Sequence, residues 1–149
     1  MTSAHLVVGL ATAALFGLAT VLGAWSWARR RSAGAFWPLL RAGQAALAVE
    51  LLLGGLLLLA GRRTTDLHLI YGLLPLGVSF AAEQLRVSAA QTVLDARGHA
   101  SAQAVGELPE EDQRELVLAI LRRELGVMTV AAAVVTILLL RAASVAGGL

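Results

Sequence analysis

Two histidines begin matching segments of this sequence. His5 begins His-Leu-Val-Val-Gly, which ends at Gly9, and His68 begins His-Leu-Ile-Tyr-Gly, which ends at Gly72. Residues four apart share one face of a helix, so each glycine lies one turn from its histidine and leaves room beside it. Two facing imidazoles with such room suit the iron of haem b, which takes one axial nitrogen from each side. The repeat therefore predicts a haem site held by His5 and His68.

Three further side chains belong to this predicted site. Tyr71 lies at the edge of the face that carries His68, and Arg62 and Arg63 precede that face closely enough to meet haem propionates. A second interpretation makes the two histidines polar anchors that are wetted at a membrane surface. A zinc or copper site is disfavoured, because the sequence offers no third ligand at the same depth.

Glu50 interrupts a long apolar run. An ionisable side chain within a bilayer is costly unless it is paired or neutral, and it is a functional hypothesis in itself. Three interpretations remain open: a proton-coupled transporter or channel working as a homodimer, an anchor for a cationic ligand, and a carboxyl bonded across the bundle. Glu83 and Arg86 lie three residues apart, which predicts a local ion pair.

Composition limits the elements that can position these residues. The chain has 149 residues, of which 58% are hydrophobic and only 15% are charged. Soluble domains carry about 25% charged residues, so apolar spans with polar connections are indicated instead. Cysteine is absent, which excludes disulfides and thiolate metal sites. No basic stripe alternates with aromatic residues, so nucleic acid is not an expected partner.

Four apolar windows approach the roughly 20 residues that a membrane helix requires. They cover about residues 5–27, 38–60, 67–87 and 125–142. We therefore expect an all-α, integral membrane four-helix bundle that forms one domain. The third and fourth helices should extend into a cytoplasmic helical hairpin over about residues 88–124, with Gly98 ending one helix, a turn over 98–106 that includes His99, and Pro109 opening the next helix.

Arginine placement predicts the orientation of these spans. The first and third connections hold nine arginines against three elsewhere. The nine are Arg29, Arg30, Arg31, Arg41, Arg86, Arg97, Arg114, Arg122 and Arg123, and the three are Arg62, Arg63 and Arg141. Basic loops stay cytoplasmic, so both termini should be non-cytoplasmic. All 12 basic residues are arginine, which is typical of a high-GC genome, and we expect a bacterial plasma membrane.

Small and polar residues mark the packed faces of membrane helices. They form one stripe on each of the first three predicted spans, whereas the fourth span carries little polar chemistry and looks like a supporting helix. No catalytic constellation is evident, so a non-enzymatic protein that binds a hydrophobic ligand or cofactor is favoured. The alternatives are the Glu50 transporter or channel and a non-catalytic assembly partner that uses the cytoplasmic hairpin.

Overall fold

The computed structural model is helical and describes residues 2–31, 33–98, 102–106 and 108–146. The helices are α1 (Thr2–Arg29), α2 (Phe36–Leu59), α3 (Asp66–Ala96), α4 (Ala102–Gly106) and α5 (Glu110–Ala146). The expected all-α fold class is confirmed. Four of these helices are long, whereas α4 is a single short turn.

Among the described residues, three helices are long and apolar enough to cross a membrane: α1 from Ser3 onward, α2 and α5. The third predicted span, in α3, is not among them. Polar residues limit its apolar part at both ends, with Asp66 and His68 at the start and Glu83 and Arg86 further on. Length and composition therefore support three spans where the sequence pattern predicted four.

The long helices form two antiparallel pairs. Facing positions in α1 and α2 are Gly9 with Glu50, Phe16 with Gly43, and Gly23 with Phe36. Facing positions in α3 and α5 are His68 with Ala142, Arg86 with Glu124, and Arg97 with Glu115. α1 also packs along α5, while α2 meets α3 least of the neighbouring pairs. The four long helices thus enclose a core with one loosely packed seam, between α2 and α3.

The core lies mainly between α1, α2 and α5. Phe16, Phe36 and Met128 are each 1% exposed and form its bulky centre. Large apolar side chains also cover the outside of the bundle, including Leu10, Val21 and Leu52 at 52%, 66% and 69% exposed. Contiguous exposed apolar surface of this kind marks contact with lipid or with other proteins.

Local signals explain where the helices begin and end. The Thr65 hydroxyl accepts a hydrogen bond from the backbone N–H of His68 and so caps α3. Gly98 follows α3 with a φ of 76°, a left-handed conformation that glycine adopts without strain. Acidic Glu110, Glu111 and Asp112 occupy the first turn of α5, where they favour the helix dipole.

One expectation about a connection differs from the structure. Residues 102–106, expected within a turn, form the short helix α4, because alanine and glutamine in this stretch favour helix. His99 lies outside the described residues. The last expected span lies in α5, which packs on both α1 and α3 and buries Leu125, Met128 and Val135. Its small residues permit close approach on two sides at once.

Candidate functional site

His5 and His68 lie beside each other at the end of the bundle where α1 and α3 begin. Their ring centroids are 6.1 Å apart, and their planes are inclined by 75°. Antiparallel packing places the start of α1 beside the end of α5. The start of α3 also packs against the end of α5. Two residues 63 positions apart in the sequence thereby become neighbours.

Glu50 joins the histidine pair from α2. Its Oε1 lies 3.1 Å from His5 Nδ1, and the two side chains are 14% and 22% exposed. The distance suits an ion pair. Within the part of the chain that the structure describes, His5 Nδ1 and Glu50 Oε2 have no hydrogen-bond partner. Glu50 is therefore positioned across the bundle against α1.

His68 is held by the fourth long helix. Its Nδ1 lies 3.0 Å from the backbone oxygen of Ala142 in α5. A carbonyl oxygen only accepts, so Nδ1 donates and the ring keeps its lone pair on Nε2. The helix α5, expected from sequence only to support the bundle, therefore contacts one of the two imidazoles.

The glycines beside the histidines have different surroundings. A Cβ added to Gly9 would lie 2.7 Å from Glu50 Oε1, so the room at Gly9 is taken by the Glu50 carboxyl. A Cβ on Gly54 would lie 3.3 Å from His5 Cε1. A Cβ on Gly72 would meet nothing within 4 Å. Open space therefore lies beside Gly72, whereas Gly9 and Gly54 are close-packed.

The other residues predicted for this site lie at its margin. Tyr71 is partly buried, and the guanidinium carbon of Arg141 lies 5.7 Å from the centre of its ring. Arg62 and Arg63 are exposed in the connection between α2 and α3, which begins near the same end of the bundle. The structure therefore brings His5, His68 and Glu50 together and leaves these arginines at the surface.

A second polar cluster joins α2, α3 and α5 nearer their other ends. Glu83 accepts hydrogen bonds from Arg41 and Gln44 of α2 and from Arg86 of its own helix. Arg86 also lies 3.8 Å from Glu124 of α5. The Glu83 and Arg86 side chains are 25% and 30% exposed. This network ties the loosely packed α2–α3 seam at one end.

Sequence reasoning missed several members of these clusters. Gly54 follows Glu50 by one turn, a spacing that was visible, but its contact with His5 depends on how α1 and α2 align. Ala142 acts through its backbone oxygen and has no sequence signal. The contact between Arg41 and Glu83 joins two helices whose relative register no local pattern specifies.

Among the described residues, no group of three histidine, cysteine or acidic side chains is placed to hold a metal ion. Comparison with known proteins adds no assignment: no protein-family model, no curated protein and no solved structure matches the chain.

Proposed function

We propose that this chain crosses a bacterial plasma membrane four times, with both termini non-cytoplasmic, and holds haem b between its helices through His5 and His68. The observation that carries the haem proposal is the neighbouring pair of imidazoles, whose ring centroids are 6.1 Å apart.

The packing of α3 against α5 supports the proposal that α3 crosses the membrane. Residues 68 and 86 of α3 lie beside residues 142 and 124 of α5, which bound the apolar part of α5. If α5, which is apolar enough to span, crosses the membrane, α3 would lie at the same depth. Its outward side chains fit lipid, since Ile70, Leu73 and Phe80 are 51%, 58% and 67% exposed.

The two histidines would hold the iron of haem between them. Two metal–nitrogen bonds of about 2 Å each, together with the ring radii, separate the imidazole centres by about 6 Å. The observed separation is 6.1 Å. Because Nδ1 of His68 is bonded to the backbone oxygen of Ala142, Nε2 of His68 would be its ligand atom, as in many metal-bound histidines. Bound haem would supply one-electron chemistry, and an electron-transfer or haem-binding subunit is the corresponding role.

Room for a flat group is best supported at the α2–α3 side. These helices meet least, and the position beside Gly72 is open. Arg62 and Arg63 are exposed near this end and offer guanidinium groups for propionates. The space beside Gly9 does not contribute, because the Glu50 carboxyl fills it.

An absorption spectrum tests the haem proposal. The protein, purified in mild detergent and reconstituted with hemin, should show the Soret band of a six-coordinate low-spin haem. His5→Ala and His68→Ala should each abolish that spectrum, whereas His99→Ala, which removes the third histidine of the sequence, should keep it. A wild-type protein that stays colourless after reconstitution with hemin would contradict the haem proposal.

Proton-linked transport through Glu50 is a second candidate. Glu50 is 14% exposed in a helix apolar enough to span a membrane, and its Oε2 is buried without a partner among the described residues. Ionisable groups so placed often mark proton pathways. Ser79 Oγ, also buried and unpartnered in the described part, lies on α3 between the His5–Glu50 pair and the Glu83 cluster.

Proteoliposomes test the transport candidate. With an imposed pH gradient and a trapped pH-sensitive dye, the wild type should dissipate the gradient faster than empty vesicles. Glu50→Gln should return the rate to that of empty vesicles, and Glu111→Gln, an exposed carboxyl in the first turn of α5, should leave it unchanged. Equal rates for wild-type and Glu50→Gln vesicles would count against transport.

A further inference from the structure

We propose that the end of the bundle opposite the histidines binds an anionic phospholipid, whose phosphate headgroup lies between arginines at the end of α1 and arginines of α5. Five exposed arginines form this arginine patch: Arg29, Arg30, Arg31, Arg122 and Arg123. The patch is distinct from the proposed haem site and does not depend on it. It requires that α1 and α5 lie in a bilayer, which their length and composition allow.

A contact between Trp27 and Gly126 brings the two groups of arginines together. A Cβ on Gly126 of α5 would lie 3.3 Å from Trp27 Nε1, so the indole of α1 rests against α5 at this point. Residues 29–31 closely follow Trp27, and Arg122 and Arg123 closely precede Gly126. Because α1 and α5 are antiparallel, both groups extend from the contact in the same direction. They therefore gather at one edge of the bundle, within about 6 Å of the contact along the helix axes.

The acidic side chains near this edge are paired with other arginines. Glu83 pairs with Arg41 and Arg86, and Glu124 lies 3.8 Å from Arg86. Among the residues that the structure describes, no carboxylate lies within 4 Å of any arginine of the patch. The patch therefore presents positive charge that a phosphate group can neutralise, and guanidinium groups suit phosphate oxygens through their paired N–H donors.

Exposed apolar side chains lead along both helices to the patch. On α1, Leu18 and Trp25 are 56% and 53% exposed, and their spacing places them on one face with Arg29. The Arg29 guanidinium carbon lies 4.3 Å from the centre of the Trp25 ring. On α5, Val130 is 61% exposed and lies seven residues after Arg123, on the same face. A phospholipid matches this surface, because its two chains can contact the apolar residues while its phosphate meets the arginines.

Arg30 occupies a backbone position that favours glycine. Its φ is 52°, and the N–H of Arg31 donates to the backbone oxygen of Ser26 at 3.0 Å, as in the glycine-based cap that ends many helices. Glycine adopts this left-handed conformation without strain, whereas arginine does not. Strain kept at one position is an indication of function there. The arginine at position 30 thus adds charge to the patch at the expense of stability.

Quenching of tryptophan fluorescence by brominated lipids tests the proposal. A Trp37→Phe protein, in which Trp25 and Trp27 report, is placed in phosphatidylcholine bilayers that contain brominated phosphatidylglycerol or brominated phosphatidylcholine. The quenching should give a binding constant for phosphatidylglycerol well above that for phosphatidylcholine. Substituting Arg122→Gln and Arg123→Gln together should lower this relative constant by about fivefold per arginine, the usual attraction of one arginine to an anionic membrane surface.

Arg30→Gly separates lipid binding from folding. It should lower the relative binding constant by about fivefold, yet raise the midpoint of thermal unfolding in detergent, because glycine relieves the strained φ. Arg114→Gln is the matched control. It removes the same charge from an exposed position of α5 that lies about 12 Å before Arg122 along the helix, and should keep the relative constant of the reporter protein.

Three results would overturn the lipid site. The first is equal quenching by the two brominated lipids in the reporter protein. The second is an equal loss per arginine in Arg114→Gln and in the Arg122→Gln, Arg123→Gln protein, which would show a general attraction of basic surface to the membrane. The third is loss of the preference for phosphatidylglycerol when inorganic phosphate is added at constant ionic strength, which would assign the patch to a soluble anion. A protein that stays colourless with hemin but prefers phosphatidylglycerol would lose the haem proposal and keep this one.

Discussion

The clearest stabilising contacts made by single side chains are those around Glu83. Its carboxylate accepts from three donors on two helices, Arg41, Gln44 and Arg86. Charge-assisted bonds of this kind are stronger than neutral ones, and a side chain that is 25% exposed is only partly screened by solvent. The cluster therefore should stabilise the contact between α2 and α3, where apolar packing is sparse.

Glu83→Gln should lower the free energy of unfolding by about 1–3 kcal/mol, because two arginines lose their shared carboxylate. Thermal unfolding in detergent, followed by circular dichroism, measures the loss. Arg97→Gln is the control. It breaks the pair with Glu115, which is 69% exposed, and should change the free energy by about 0.5 kcal/mol or less. Equal effects of the two substitutions would contradict the role given to Glu83.

At the scale of helices, close approach is decided by glycines at particular contacts. A Cβ on Gly23 would collide with the Thr129 hydroxyl of α5 and would lie 2.8 Å from Phe36 Cε2 of α2. Three helices converge at this point. In contrast, a Cβ on Gly77 of α3 meets nothing within 4 Å. The same residue type is thus required in one helix and replaceable in another.

Gly23→Ala should destabilise the protein by about 1–3 kcal/mol, the usual cost of overpacking a close contact. Gly77→Ala should be neutral or stabilising by about 0.5–1 kcal/mol, because alanine loses less backbone entropy in a helix. The midpoint of thermal unfolding in detergent distinguishes them. A Gly23→Ala protein as stable as Gly77→Ala would show that α1 does not pack on α2 and α5 as described.

The whole molecule is organised by two antiparallel helix pairs whose free ends meet. Thr2 and Ala146 both lie at the end that carries His5 and His68, because α1 begins there and α5 ends there. At 1.5 Å per residue α5 is about 55 Å long, which exceeds the roughly 30 Å of hydrocarbon in a bilayer. α5 is therefore longer than one bilayer crossing requires.

Single introduced cysteines test the proposed orientation, with four crossings and both termini non-cytoplasmic. The chain has no cysteine of its own that would react. In intact cells, a membrane-impermeant maleimide should label Ser3→Cys and Thr64→Cys, whereas Glu111→Cys should react only after permeabilisation. The three positions lie near the start of α1, before α3 and at the start of α5. If residues 64 and 111 are labelled from the same side, α3 does not cross, and the bundle has three spans.

The sequence by itself determined the four long helices, their approximate ends and three segments apolar enough for lipid, because helix formation and hydropathy depend on residues close together in the chain. It also identified His5, His68 and Glu50 as residues to explain. Only the tertiary structure decided that Gly9 makes room for Glu50, that α5 holds His68, and that Arg41 reaches Glu83. These contacts depend on the register of one helix against another, which is set by the fit of side chains on facing surfaces and not by any local periodicity.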